Sequence, residues 1–139
     1  YSSEYGYSNK VLVYDFATAI MTIVKTSGSL VQGTYGHTSV YDIGRRIIYV
    51  YGGYQSSSNY QHTDQLYQYD PFAEKWFILQ SSGSAQYLHS AAMMNGLMLV
   101  FGGNTHNETE FDKQCFASDF LIYDRDCNKW HTLNLDYSM

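Results

Sequence analysis

Short apolar runs alternate with polar, glycine-containing segments along the whole chain. The clearest runs, 47–51 and 97–101, have the length of a β-strand, and each is followed by two glycines. No run approaches the roughly 20 apolar residues that cross a membrane as a helix. The pattern therefore predicts a chain of short strands joined by turns.

The chain contains an internal repeat. In each copy an apolar strand ends in Gly-Gly, a Tyr-Asp pair follows, and a tryptophan comes six positions after the aspartate. The glycine pairs, the Tyr-Asp pairs and the tryptophans each recur after about 50 residues. An earlier Tyr14-Asp15 pair has Met21 at the tryptophan position, so the chain opens in the second half of a preceding copy. The residues that carry the two full copies are Gly52, Gly53, Tyr69, Asp70, Trp76, Gly102, Gly103, Tyr123, Asp124 and Trp130.

Each copy predicts four short strands. Four strands in a period of about 50 residues are typical of a β-propeller blade. We assign 1–30 to the second half of a blade and its linker, 31–84 to one full blade and 85–139 to another. In the first full blade the predicted strands are 37–41, 47–51, 65–69 and 75–79, with turns at Asp42-Ile43-Gly44 and Asp70-Pro71.

Closed propellers have about 4 to 8 blades. We therefore expect an all-β, incomplete propeller: two full four-stranded blades and the C-terminal half of a preceding one, all belonging to one larger propeller. The repeated residues suit this fold, since glycines allow positive φ where a strand ends, aspartates bond forward into turns, and tryptophans fill the gap between blades. Residues 81–84, Ser-Ser-Gly-Ser, are expected to be a flexible polar link.

An apolar strand that ends in Gly-Gly, followed by Tyr-Asp and then by tryptophan, resembles the kelch repeat. The resemblance covers nearly the whole chain and implies a kelch-type propeller. Some kelch propellers are enzymes, such as galactose oxidase, in which copper is held by Tyr and His and one Tyr is cross-linked to a Cys. Here Cys115 and Cys127 fall in a loop and a turn, and strand propensity explains most tyrosines, so we do not expect oxidase chemistry.

Composition argues against several other functions. The net charge is −5, only 15% of residues are charged, and the only adjacent basic pair is Arg45-Arg46. Nucleic-acid binding and polybasic membrane contact both rely on clusters of Lys and Arg, so neither is expected. The aromatic content of 17% favours strands over disorder.

No arrangement of side chains indicates catalysis. The histidines lack metal-ligand spacing, and the sequence has no nucleophile elbow, phosphate loop or dinucleotide fingerprint. His37 and His89 occupy the same position in their blades, and we predict that a ring nitrogen is bonded inside the blade. We expect a protein that is not an enzyme, with no metal site and no cofactor.

Two features concern covalent modification. Asn107-Glu108-Thr109 is an N-glycosylation acceptor in a polar loop, although roughly one such triplet is expected by chance. Cys115 and Cys127 flank a predicted strand, and a mutual disulfide requires the chain between them to fold back until their Cα atoms are about 4.4–6.8 Å apart. A mutual disulfide, other partners for each cysteine, and free thiols all remain open.

The segments 98–109 and 115–127, which include the acceptor triplet and both cysteines, are similar to one region of the attractin family. Attractin-like proteins are large extracellular or single-pass membrane proteins that combine a kelch propeller with CUB, EGF-like, plexin-type and C-type lectin modules. The resemblance implies a non-enzymatic adhesion or accessory-receptor glycoprotein whose partner is a protein ligand or receptor at the cell surface. Any membrane attachment would come from other parts of the parent chain.

The alternative is a cytosolic kelch adaptor that presents substrates to a ubiquitin ligase, which predicts free thiols and an upstream dimerisation domain. The long loops after the glycine pairs count against it, because such adaptors generally have more compact blades. Binding by either kind of protein would use inter-strand loops on a rigid scaffold. We predict 55–63 and 105–114 as the binding loops; loops that only tolerate insertions are the competing interpretation.

Overall fold

The computed structural model describes residues 1–4, 6–55, 61–105 and 117–133. Within these ranges no residue lies in a helix, so no helix there could span a membrane. The strands are β1 (Val11–Asp15), β2 (Ile20–Val24), β3 (Ser27–Gly28), β4 (Thr38–Asp42), β5 (Ile47–Tyr51), β6 (Tyr54–Gln55), β7 (Gln61–His62), β8 (Leu66–Asp70), β9 (Lys75–Ile78), β10 (Ser90–Met94), β11 (Leu97–Phe101), β12 (Phe120–Asp124) and β13 (Lys129–Leu133).

Two antiparallel meanders of four strands dominate the fold. The middle blade consists of β4, β5, β8 and β9, and the last blade consists of β10, β11, β12 and β13. The first hairpin, β1–β2, corresponds to the last two strands of a full blade and belongs to a third unit. Short β3 adds to the edge of the middle blade in parallel with β9, and β6 pairs with β7. The predicted all-β, incomplete propeller is confirmed.

The repeat also fixes the strand register. Tyr14 pairs with Met21, Tyr69 with Trp76 and Tyr123 with Trp130, each time across the last two strands of a unit. Residues that share a position in the sequence repeat therefore share a position in the sheet.

Strand ends differ slightly from the sequence prediction. Strand β5 matches it, whereas β4 and β8 each begin and end one residue later than predicted. Asp42 pairs with Ile47, and Asp70 pairs with Lys75, so both aspartates still belong to their strands while they open the turns. The shift arises because pairing continues up to the residue that caps the turn.

The core lies between the middle and last blades. Tyr49 and Tyr51 of the middle blade are buried against Met98, Val100 and Tyr123 of the last blade. Most of the buried apolar side chains in the described part of the chain belong to this cluster, so the seam provides most of the apolar burial that orders the two sheets.

Trp130 fills the seam as predicted. Its ring centroid lies 4.9 Å from that of Tyr51 in the neighbouring blade, and its Nε1 donates to the carbonyl oxygen of Gln80 at 2.7 Å. Trp76 is buried against Tyr67 and Tyr69 of its own blade, and its Nε1 has no partner among the described residues.

The turns depend on repeated aspartates. Asp70 Oδ1 accepts hydrogen bonds from the backbone nitrogens of Phe72 and Ala73, and Asp15 Oδ1 accepts one from Ala17. Asp124 Oδ1 does the same for the backbone nitrogens of Asp126 and Cys127. In each turn the aspartate carboxylate therefore accepts hydrogen bonds from backbone N–H groups, in place of a backbone acceptor.

Residues 81–84 are not a loose link, and the expectation of flexibility was wrong. Ser82 Oγ lies 2.7 Å from the Tyr51 hydroxyl, which also donates to the carbonyl of Ser84 at 2.6 Å. The Gly83 nitrogen donates to Asp64 Oδ2 at 3.0 Å. Small polar residues here allow the connector to bond closely to the middle blade.

Candidate functional site

The two edges of the blades differ. We call the edge with the turns 42–47, 70–75, 94–97 and 124–129 the turn rim. The opposite edge, where β5 and β11 end in Gly-Gly and where the connectors 24–37 and 79–89 run, is the loop rim. Both predicted binding loops, 55–63 and 105–114, leave the loop rim, so this edge is the candidate interaction site.

The glycine pairs allow the backbone to pack closely at the loop rim. Gly52 and Gly53 have φ values of 66° and 101°, in the region that favours glycine. A Cβ on Gly52 would lie 2.6 Å from the carbonyl oxygen of Gln86, while the nitrogen of Gly53 donates to that same oxygen at 2.9 Å. The connector between the blades is thereby held against the end of β5.

Backbone bridges fix the same rim in both full blades. Tyr35 and Tyr54 exchange backbone hydrogen bonds of 3.0 and 2.8 Å, and Tyr87 and Asn104 exchange bonds of 3.1 and 2.8 Å. In each blade the segment that enters the first strand is thus tied to the segment that follows the glycine pair. The candidate loops therefore start from a rigid base.

Tyrosine rings line this base. The Tyr35 and Tyr87 rings both contact the Tyr54 ring at centroid distances of 5.3 Å, and Tyr7 lies 4.9 Å from Tyr1. Tyr54 and Tyr87 are buried, whereas Tyr1 is 70% exposed. Aromatic side chains, tyrosine among them, are enriched in protein–protein interfaces.

Much of the candidate site lies outside the described residues. Asn107, Cys115 and most of loop 105–114 belong to that part, as do 56–60 of the other loop. Cys127 is described, and it is exposed in the last turn of the turn rim. The glycan and the cysteine pairing therefore stay predictions.

The two equivalent histidines have different environments. His89 is 6% exposed, and its Nε2 lies 2.8 Å from the Thr38 hydroxyl in the neighbouring blade. Burial lowers the pKa of His89 to about 4, although the backbone carbonyls of Tyr51 and Gln86 oppose this. The bond crosses between blades, so the prediction of a bond inside the blade was wrong for His89. His37 is exposed, with Nδ1 3.3 Å from the Thr34 carbonyl.

Sequence reasoning missed a charged contact on the turn rim. Arg125 of the last blade forms an ion pair with buried Asp42 of the middle blade, and Arg45 forms a second one with Asp126. Burial raises the pKa of Asp42, but the hydrogen bond and charge of Arg125 outweigh it and bring that pKa below its ordinary value. Across the described ranges, no group of three or more His, Cys, Asp or Glu could hold a metal.

Comparison with known proteins fits this geometry. The model of the Attractin/LZTR1 β-propeller family matches residues 1–139. The chain belongs to the Attractin/LZTR1 β-propeller family. Within it, the chain is 38% identical over 138 residues to protein tag-53 of Caenorhabditis elegans, covering 96% of this chain and 10% of that protein.

The chain is also similar to other proteins, including kelch proteins. It is 30% identical over 135 residues to mouse multiple epidermal growth factor-like domains protein 8, covering 94% of this chain and 5% of that protein. It is 23% identical over 130 residues to human kelch domain-containing protein 3, covering 90% of this chain and 33% of that protein. The chain spans a tenth or less of tag-53 and of the mouse protein. It is a β-propeller protein-interaction module related to attractin-like and kelch proteins.

Proposed function

We propose that this propeller is the extracellular, non-enzymatic interaction module of an attractin-like adhesion or accessory-receptor glycoprotein. Its partner would be a protein ligand or receptor at the cell surface. The observation that carries the proposal is the match of the Attractin/LZTR1 propeller model to the whole chain. The parent chain would supply EGF-like modules and any membrane attachment, in keeping with the name of the mouse relative.

Within this proposal the chain contributes residues 1–30 to one blade, 31–84 to a second and 85–139 to a third blade of a larger propeller. The free edge of β1 supports the assignment, because the equivalent strands β8 and β12 each have two neighbours. We further propose that Asn107 carries a glycan and that Cys115 and Cys127 are oxidised, with a mutual disulfide as the first candidate pairing.

The loop rim is the proposed binding surface. Its backbone is fixed by the Tyr35–Tyr54 and Tyr87–Asn104 bridges, and the aromatic side chains of Tyr1 and Tyr7 extend the tyrosine cluster beside the loops. A rigid base with longer loops is the usual arrangement for recognition on a β scaffold.

A cytosolic kelch adaptor of a ubiquitin ligase is the second candidate. The similarity to kelch domain-containing protein 3, which covers most of this chain, supports the kelch architecture that this candidate requires. This candidate predicts reduced cysteines and an unmodified Asn107, so it is separable from the first by chemistry alone.

The test uses the native parent polypeptide, displayed or secreted as it occurs. Loops 55–63 and 105–114 are each replaced by Gly/Ser loops of equal length, and binding to cells that bind the unmodified protein is measured. We expect either replacement to reduce cell binding at least tenfold. A control variant on the turn rim, Asn95→Gly, should leave binding unchanged. Full binding by both loop variants would contradict the proposed surface.

A further inference from the structure

The side of the last blade that faces away from the middle blade is apolar and exposed. Met94, Leu97 and Phe101 are 59%, 37% and 44% exposed. Met94 pairs with Leu97 across the hairpin of β10 and β11, and Leu97 and Phe101 lie on one side of β11 because side chains alternate along a strand. Met98 and Val100 point the other way, into the core shared with the middle blade. We call Met94, Leu97 and Phe101 the open face.

In the middle blade the equivalent face is buried by the next blade. Its members, in the order of the open face, are Asp42, Ile47 and Tyr51. They are only 4%, 8% and 0% exposed. The Tyr51 ring contacts Trp130 at a centroid distance of 4.9 Å, and Asp42 forms its ion pair with Arg125, both from the last blade. The open face therefore has the geometry of a surface that another blade covers.

The open face differs from its buried counterpart in charge. Asp42 of the middle blade receives the guanidinium of Arg125, so both charges in that seam are compensated. Met94 takes the place of Asp42 and carries no charge. An arginine that a covering blade placed against Met94 would lose hydration without gaining an anion, whereas an apolar side chain would add favourable buried area. The open face therefore favours an apolar residue at the position that Arg125 has in the existing seam.

The repeat already accommodates apolar residues at this position. Arg125 directly follows the Tyr-Asp pair of the last blade, and the residues that directly follow the two earlier Tyr-Asp pairs are Phe16 and Pro71. Phe16 is 91% exposed at the tip of its turn, so the turn conformation does not depend on a buried side chain there. Two of the three units thus present an apolar residue where the last blade presents Arg125.

We propose that a following blade of the same parent chain covers the open face, and that this blade carries an apolar residue in place of Arg125, packed against Met94. The first part rests on the larger propeller of the proposed function. The second part specifies the chemistry of the partner surface. One seam of the last blade is then joined at the turn rim by an ion pair, and the other is joined there by apolar contact alone.

Hydroxyl-radical footprinting of the native parent polypeptide tests whether the open face is covered. Phe101 is compared with Phe72, which is 80% exposed on the turn rim. Phe72 should stay accessible beside a neighbouring blade, because Asp126 at the equivalent position keeps 64% of its side chain exposed in the existing seam. We expect Phe101 to react at least tenfold more slowly than Phe72, and both to react equally in urea. Rates in the ratio of their exposed fractions, or protection of Phe101 that is lost on dilution as a second copy dissociates, would overturn the inference.

Two variants of the parent polypeptide identify the kind of residue opposite Met94. Met94→Asp and Met94→Asn have nearly the same shape and differ by one charge. Against an apolar residue the carboxylate is uncompensated, so we expect Met94→Asp to melt at least about 5 °C below Met94→Asn. Asn95→Asp makes the same change at the exposed neighbouring residue and should shift the melting temperature by less than about 2 °C. A Met94→Asp protein as stable as Met94→Asn would show a cation or solvent opposite Met94 and overturn the inference.

The two measurements separate this inference from the proposed larger propeller. If Phe101 is protected while Met94→Asp is as stable as Met94→Asn, a following blade is present and the apolar residue is contradicted. If Phe101 reacts in proportion to its exposure, no blade covers the open face, and the larger propeller fails on this side as well. Failure of Met94→Asp to fold where Met94→Asn folds agrees with the inference, and the footprint itself needs no variant.

Discussion

The Nε2 atom of His89 and the hydroxyl oxygen of Thr38 lie 2.8 Å apart, across the seam between the middle and last blades. His89 Nδ1 is buried as well. A Cβ on Gly103 would lie 2.8 Å from His89 Cβ, and a Cβ on Gly52 would lie 2.7 Å from its Cε1, so glycines enclose the ring from both blades. The seam therefore depends on a neutral imidazole.

This dependence predicts acid sensitivity. The pKa of His89 falls from 6.5 to about 4 on folding. Below pH 6.5 the unfolded chain gains a proton that the folded protein does not, so stability falls as the pH drops from 6.5 to 4. The full loss is about 3 kcal/mol. Urea unfolding of the complete propeller between pH 4 and 7 should show this slope, and His89→Gln should lack it. An identical slope in both proteins would refute the assignment.

The two ion pairs on the turn rim should contribute unequally to thermal stability. Asp42 is buried beside Arg125, whereas both partners in the Arg45–Asp126 pair are well exposed. Removing one charge of a buried pair leaves the other without compensation, while exposed pairs are screened by water and salt. Asp42→Asn should therefore lower the melting temperature more than Asp126→Asn. Similar losses in the two variants would mean that burial does not distinguish the pairs.

Trp130 links the blades, so its removal should weaken the seam. Trp130→Ala loses the Tyr51 ring contact and the hydrogen bond to Gln80, and we expect destabilisation of about 3 kcal/mol. His131→Ala changes an exposed neighbour in the same strand and should alter stability by less than about 0.5 kcal/mol. Denaturant unfolding of the complete propeller measures both. A loss below about 1 kcal/mol for Trp130→Ala would be close to the effect of an ordinary surface substitution. That result would contradict a bridging role for Trp130.

Two glycines with positive φ should differ in how far their replacement by alanine destabilises the protein. Gly83 has φ of 78° with open space around it, so Gly83→Ala should cost only backbone strain, about 1 kcal/mol. Gly52 has φ of 66° and would in addition bring its Cβ within 2.6 Å of the Gln86 carbonyl. Gly52→Ala should therefore destabilise the propeller distinctly more than Gly83→Ala in thermal unfolding. The reverse order would show that close approach does not explain the glycine.

Sequence reasoning recovered what repeats from blade to blade. Tyr69 and Trp76 share a spacing with Tyr123 and Trp130, and this spacing is enough to predict their register, because a local turn sets it. Contacts between blades were harder to foresee. Arg125 and Asp42 are 83 residues apart, and their copies in other blades are different residue types, so no periodic signal marks the pair. The hydrogen bond from the Gly53 nitrogen to the Gln86 carbonyl was missed for the same reason, since it depends on how a connector packs against the middle blade.

Mass mapping of non-reduced peptides from the native parent polypeptide tests the central proposal most directly. An extracellular attractin-like module predicts a glycan on Asn107 and oxidised sulfur at both Cys115 and Cys127. Digestion before and after reduction, with and without glycan removal, identifies each modification and the pairing of the cysteines. An unmodified Asn107 together with two alkylatable thiols would contradict the extracellular assignment and favour the cytosolic kelch adaptor.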